Sequence, residues 1–291
     1  MSDSAAPAPG VHDRRRRRRR HTRGRGGIRP SIVAACAALL LAGAARADPV
    51  TVKVGGYTFP PFVRASAGEP GAVRAVLSAL NDAQAQYAFA FVSTSARRRY
   101  RDFQQGAFDV MLFEQPQWSW GKLAITVETV PPIVRGAEVY VARKDQVTGP
   151  TYFADLHDKR IAAYHGYHYT FTGFAPDPET LKRNFDFDVH LNHKHGDSIR
   201  QVLDGRADVA VVTRSWLDIY KSSHPNRAEK LTVADRVDQV YRLGAITRPG
   251  GPISAEALTA LLRDLERTGR LREVLAPFGL ADQIVLDADE S

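Results

Sequence analysis

Side chains able to engage a small molecule fall at four places along this 291-residue chain. Tyr57 and Phe62 lie on either side of Pro60-Pro61, where their rings could stack on a planar or cationic group or pack against the protein itself. Glu114 ends the apolar run Asp109 to Phe113 and could pair with a ligand cation or with a local Lys or Arg; Trp118 and Trp120 follow, Trp118 suited to shaping a pocket and Trp120 to packing. His165, Tyr167 and His168 share one short turn. Arg214 follows the apolar run Asp208 to Val212, where a guanidinium could clamp an anion or open a helix. Glu114 and Arg214 together would suit a ligand bearing both charges. Glu114, His165 and His168 are also of the types that serve as general acids.

Other chemistry is narrowed by composition. Cys36 is the only cysteine and lies in the leader described below, so a mature chain without that leader has no thiolate nucleophile, no Cys-ligated metal and no disulfide. His193 and His195 alternate as on one strand face, near His190, but Lys194 intervenes, and zinc needs three or four convergent ligands. No metal or cofactor is expected.

The formal charge of +8 points superficially to nucleic acid. Residues 1–47, however, hold 11 of the 40 Lys and Arg against only Asp3 and Asp13. The remainder carries 29 basic and 30 acidic residues, so no nucleic-acid partner is expected. The leader has the order of a secretory signal: a basic stretch to Arg29, the 14-residue apolar run Ile32 to Ala45, then Ala45-Arg46-Ala47 before Asp48. That run is shorter than the roughly 20 residues a spanning helix needs. We expect cleavage after Ala47, a periplasmic location and no stable membrane span. Val33-Ala34-Ala35-Cys36 resembles a lipoprotein site, but its apolar run lies mostly after the cysteine; no clean arginine pair leads into the run.

The elements that must position these residues follow from periodicity. Val50 to Tyr57 alternates as a strand and delivers the aromatic loop. Val73, Val76, Leu77 and Leu80 have helical spacing within Glu69 to Ala85, and Tyr87 to Val92 is a second strand. A repeat follows: helix Arg97 to Gln105, Gly106 and strand Asp109 to Phe113; then helix Ser198 to Asp204, Gly205 and strand Asp208 to Val212. Both copies read Gly-x-x-Asp-Val, a glycine past a helix leading to a doubly buried parallel strand. Two copies predict two similar α/β lobes rather than one long sheet. Ala137 to Arg143 and Gln239 to Thr247 are strands able to cross between lobes, and Arg160 to Tyr164 starts the second lobe's own sheet. Asp177-Pro178-Glu179 has the composition of a helix start, and Ser254 caps a helix with Leu258, Leu261, Leu262 and Leu265 on one face.

In this order, the opening strand with Tyr57 and Pro60-Pro61-Phe62, GAFDVMLF, AEVYVAR, Asp155-Leu156 before RIAAYHGYHY, LDGRADVAVV and LERTGRLREVLAPFG resemble the bacterial extracellular solute-binding proteins of family 3, the periplasmic substrate-binding components of ABC transporters. The resemblance implies a type II periplasmic-binding fold: two α/β lobes, two crossing strands and a ligand cleft. It places lobe 1 at 48–140 and 240–291 and lobe 2 at 141–239. Strand ends and helix N-termini at the cleft would offer N–H groups to a polar or anionic ligand. It further implies a monomer that feeds an ABC permease.

The sequence departs from that family where amino acids are gripped. The family's Thr-x-x-Arg is replaced by Glu114-Gln115-Pro116-Gln117-Trp118, with no arginine before Arg135. Its ammonium-binding Asp falls at Thr213, and its small hydroxyl residues fall at Tyr167 and His168. The resemblance therefore implies ligand binding through Tyr57, Phe62, Glu114, Trp118, His165, Tyr167, His168 and Arg214 without the usual α-amino acid clamp. Two other readings remain open: a periplasmic enzyme on the same fold, similar to cyclohexadienyl dehydratases, or an accessory or sensory binding protein serving a membrane or periplasmic partner.

Overall fold

The computed structural model describes residues 48–64, 70–122, 124, 126–175 and 188–286. The leader and the helix start at Asp177-Pro178-Glu179 lie outside the described residues. Eight strands are described: β1 (Val50–Gly56), β2 (Tyr87–Ser93), β3 (Val110–Glu114), β4 (Glu128–Arg143), β5 (Arg160–Tyr164), β6 (Asp188–Asn192), β7 (Val209–Thr213) and β8 (Leu231–Thr247). The helices are α1 (Ala72–Ala83), α2 (Arg99–Gln104), α3 (His195–Leu203), α4 (Arg214–Ser223), α5 (Pro225–Ala228), α6 (Ala255–Arg267) and α7 (Arg270–Leu275). No described helix is long and apolar enough to cross a membrane.

The sheet order is β2-β1-β3-β8-β4-β7-β5-β6. On one side β1 pairs in parallel with β2 and β3; on the other β5 pairs in parallel with β6 and β7. The repeated glycine-to-strand unit thus marks equivalent strands, β3 and β7, each placed beside a crossing strand. The two-lobed α/β fold stands, with one correction. The lobes share a single curled sheet, because β4 and β8 pair with each other antiparallel and carry the ladder through both halves.

Those crossing strands begin well before the sequence pattern suggests. Pro131-Pro132 coincides with a register shift between Val130 and Val134, a break that proline imposes because it cannot donate to the ladder. The pattern becomes readable as a strand only past it, at Ala137. In β8 the stretch before Gln239 mixes Leu231, Val233 and Val237 with Asp235, Arg236 and Asp238, and it pairs with β4 from Leu231 onward.

Two apolar clusters hold the halves. The smaller joins Val139, Val141, Ala162, Ala210 and Val212 of the sheet to Ile199 and Val202 of α3 and Leu217 of α4. The larger contains the first lobe's core, with Val76, Leu80, Leu258, Leu262 and Leu271 among its members, and runs on through aromatic rings into the second lobe. Helix α6 starts as expected: Ser254 Oγ accepts from Ala257 N at 3.1 Å, a cap worth about 1 kcal/mol.

Candidate functional site

The loop after β1 is held in a fixed shape before any ligand is considered. Phe59 and Val63 exchange both backbone hydrogen bonds, at 3.0 and 2.9 Å. The N–H groups of Ala72 and Val73 then donate to the carbonyls of Pro61 and Phe62, at 3.2 and 3.0 Å. Gly71 is required at this junction, since a β-carbon there would lie 2.3 Å from the Phe62 oxygen. The first two N–H groups of α1 are therefore spent on its own loop, contrary to the expectation for helix ends at the cleft. The gain is a rigid platform for Tyr57 and Phe59.

These rings meet residues of the second lobe and the crossing strands around a cavity of about 10 Å³, lined by Tyr57, Phe59, Trp118, Glu138, Tyr167, His168 and Gln239. Phe59 lies edge to face with Trp118 (5.7 Å, 74°) and with Tyr167 (5.3 Å, 86°), and Tyr57 with Tyr167 (6.4 Å, 83°). The Tyr167 hydroxyl donates to the Thr58 carbonyl at 3.1 Å, and Trp118 Nε1–H donates to Gln239 Oε1 at 3.3 Å. Gln239 in turn donates to the His168 backbone oxygen. The cavity is flanked by two larger ones. One of about 360 Å³ lies between Thr58, Pro60 and Pro61 on one side and Lys194, His195 and Trp216 on the other. The second, about 280 Å³, includes Phe62, Arg135, Arg214, Val240 and Tyr241.

Next to Tyr57 lies a buried ion pair. Arg99 Nε is 3.2 Å from Glu114 Oε1, and Trp120 Nε1–H donates to Glu114 Oε2 at 2.6 Å. The Arg99 guanidinium also sits over the rings of Tyr57 (4.5 Å) and Tyr100 (4.4 Å) and donates to the Ala96 carbonyl. Glu114 reaches this position through a bulge: Phe113 takes φ 58°, and the β3–β8 register shifts between Leu112 and Glu114. Burial raises the Glu114 carboxyl above its ordinary value, while Arg99, Trp120 and Tyr57 oppose the rise.

The second-lobe side is a neutral hydrogen-bond relay. Thr213 donates its hydroxyl to Glu138 Oε1 at 2.8 Å, so its oxygen is left to receive His195 Nε2–H at 3.1 Å. That assigns the His195 proton to Nε2 and leaves Nδ1 bare; burial lowers its pKa to about 3. His168 is lowered to about 3 as well, by burial first and then by Arg99 and Lys122, and its Nε2 lies 3.0 Å from Ser119 Oγ. The Tyr100 hydroxyl donates to the Trp118 carbonyl at 2.6 Å and lies 3.4 Å from the same His168 nitrogen. Asp238 anchors the neighbouring loop, accepting from Tyr140 Oη (2.7 Å), Thr170 N (2.9 Å) and Phe171 N (3.2 Å).

Of the residues singled out in the sequence, Tyr57, Trp118, Tyr167 and His168 come together at this cavity. Glu114 adjoins them but is occupied by Arg99, the local-partner alternative. Phe62 packs on Phe59 and Phe113 and, with Arg214, borders the separate 280 Å³ cavity, so Glu114 and Arg214 do not face one space. His165 stands off to one side, its ring 5.1 Å from that of His193. His190 pairs with Asp188 at 3.2 Å while His195 turns to Thr213, so these histidines do not converge. Phe59, Arg99, Glu138, Gln239 and His195 were missed as site residues. Of these only Glu138 left a clear trace, an acid inside the apolar run AEVYVAR.

Two lobes on one sheet, joined by paired crossing strands and meeting at an enclosed seam, define a periplasmic binding protein of type II. Solved structures agree in fold. The chain is similar to the ancestral amino acid-binding protein AncCDT-1, a precursor of cyclohexadienyl dehydratase, at 18% identity and a TM-score of 0.59 over 79% of this chain and 95% of that one. It is similar to a mutant of ArgBP from T. maritima at 19% identity and a TM-score of 0.60, covering 79% and 95%. A third likeness is to the substrate-binding protein of an ABC uptake transporter from Streptococcus pneumoniae with bound histidine, at 12% identity and a TM-score of 0.61, covering 78% and 92%. No curated protein matches the sequence. The sequence profile of the ABC transporter phosphonate periplasmic substrate-binding proteins matches residues 136–290, more than half of the chain, and the protein belongs to that family. It is a solute-binding protein of the ABC transporter class.

Proposed function

We propose that the protein, exported and cleaved after Ala47, captures a small organic solute between its lobes in the periplasm and presents the closed form, as a monomer, to a membrane permease. The lobes in this reading are 48–140 with 240–291, and 141–239. The observation that carries the reading is the convergence of Tyr57, Phe59 and Trp118 with Tyr167, His168, Glu138 and Gln239 around one enclosed cavity. A ligand seated there contacts both lobes and the crossing strands at once, which is how binding energy can favour a closed state over an open one. The altered clamp argues against an α-amino acid held in the usual way.

The groups also favour binding over catalysis. Glu114 is engaged by Arg99 and Trp120. Burial lowers His168 to about 3, so near neutrality it is not the imidazolium that a general acid would use. Native mass spectrometry of protein taken from its own periplasm, followed by thermal-shift titration with the solute found, tests the reading: one unconverted small molecule per chain and a rise in melting temperature are expected. Turnover of prephenate by the purified protein would replace this reading with the dehydratase one.

A further inference from the structure

The central cavity is lined by one buried acid that has no cationic partner among the described residues. Glu138 is only 2% exposed. Its Oε1 receives the Thr213 hydroxyl, and its Oε2 has no partner among the described residues. The neighbouring buried acids are both served: Glu114 has Arg99 and the Trp120 N–H, and Asp238 has a tyrosine hydroxyl and two backbone N–H groups. The described charged group that acts on Glu138 is another acid, Asp238. A buried carboxylate without a counter-ion is costly, and glutamine would fill the position better unless a cation arrives from outside.

The cavity walls suit that cation. Tyr57, Phe59, Trp118 and Tyr167 line the same space as Glu138, with their planes turned near right angles across the pairs already given. A positive group enclosed by ring faces is attracted by their quadrupoles, most strongly once desolvated. The protein already uses this interaction next door, where Arg99 lies over Tyr57.

We propose that the cleft recognises an organic cation, a small aliphatic ammonium group seated among these four rings with Glu138 as its counter-ion. This rests on the solute-capture reading and names its ligand class. A methylated ammonium is larger than the cavity of about 10 Å³, so the rings that now meet across the seam part to admit it. Lone anions are disfavoured, because they would approach the same carboxylate.

The proposal also implies a proton count. Burial raises the Glu138 carboxyl well above its ordinary value, and a cation seated beside it favours the ionised form, so cation entry should draw a proton off this carboxyl. Around it, burial raises Tyr167, Tyr169 and Tyr241, lowers His168 and His195 to about 3, and raises the neighbouring acids Asp238 and Glu114.

Titration calorimetry on the exported protein tests this with methylammonium, tetramethylammonium and choline. The controls are 3,3-dimethyl-1-butanol, which replaces the choline nitrogen by carbon, and methylphosphonate. We expect at least one ammonium ion to bind and the carbon isostere to bind at least tenfold more weakly. Heats in buffers of different ionisation enthalpy should show a proton released, and Glu138→Gln should abolish both effects. The comparison of isosteres on the unaltered protein does not depend on how that variant folds. Equal binding of the isostere, unchanged cation affinity in the variant, or binding of methylphosphonate alone would overturn the cation while leaving solute capture intact. If no probe binds and no solute accompanies the protein from the periplasm, solute capture itself falls, and the cation with it.

Discussion

Gly136 and Tyr241 face each other across the paired crossing strands, and a β-carbon on Gly136 would lie 2.2 Å from the Tyr241 ring. The ring covers the glycine and reaches Trp118 at 5.6 Å, edge to face. Gly136→Ala therefore has to displace a buried aromatic side chain. We expect a loss of about 1–3 kcal/mol in urea denaturation, the range for overpacked cores. Combining it with Tyr241→Ala should show a strong favourable coupling, since the second change removes the obstacle. Additive losses would mean that the ring and the glycine do not oppose one another.

The Arg99–Glu114 pair is structural, and its halves need each other. Arg99→Met strands a buried carboxylate, for which a loss of about 3–5 kcal/mol is expected. Glu114→Gln strands the guanidinium and should cost a comparable amount. The double variant Arg99→Met with Glu114→Gln should recover part of the loss, measured as a double-mutant cycle. A cycle with no coupling would remove the ion pair from the account.

Tyr167→Phe keeps the ring and deletes only the hydroxyl that donates to the Thr58 carbonyl. One hydrogen bond of this kind is worth about 1 kcal/mol, roughly a fivefold change in a two-state population. If that bond closes the cleft, small-angle scattering should report a larger radius of gyration for the ligand-free variant. An unchanged radius would place the bond outside the closing contact.

His168 carries a sign that can be worked through. Its folded pKa, about 3, lies below the ordinary value of 6.5, so the unfolded chain binds the extra proton between those two limits. The stability His168 contributes is complete above pH 6.5 and drains away as the pH falls toward 3, by about 1.4 kcal/mol per pH unit within the window. Buried carboxylates such as Glu138 titrate in the opposite sense, so the useful quantity is a difference. The stability of His168→Asn minus that of the parent, measured from pH 7.5 down to 4.5, should grow more positive with acidification. A flat difference would refute the neutral, buried imidazole.

The sequence disclosed the architecture more readily than the site. Strands such as Arg160–Tyr164 and the repeated Gly-x-x-Asp-Val unit announce themselves through short-range periodicity, which is what positions β3 and β7. The crossing strands were only half visible, because a proline pair breaks one and Asp235, Arg236 and Asp238 interrupt the apolar pattern at the start of the other. At the cleft, Tyr57, Trp118, Tyr167 and His168 were legible as polar or aromatic residues past strand ends. Glu114 was legible as chemistry but not as a pair, since its partner Arg99 lies on α2 within a run of arginines that looks like solvated surface. Glu138 was visible as an acid inside an apolar run, but its role was not: that role comes from lacking a counter-ion, which is a property of three-dimensional neighbours.

The shared sheet bears on how such a protein can be divided. Strands β4 and β8 lend their edges to both lobes, β8 to β3 on one side and β4 to β7 on the other. A fragment cut at the proposed boundaries, after residues 140 and 239, would split both strands and expose fresh unpaired edges, the feature that recruits stray strands into aggregates. Neither lobe is thus an exchangeable module. Grafting a new specificity onto this scaffold means rewriting the seam in place, with both ribbons left whole.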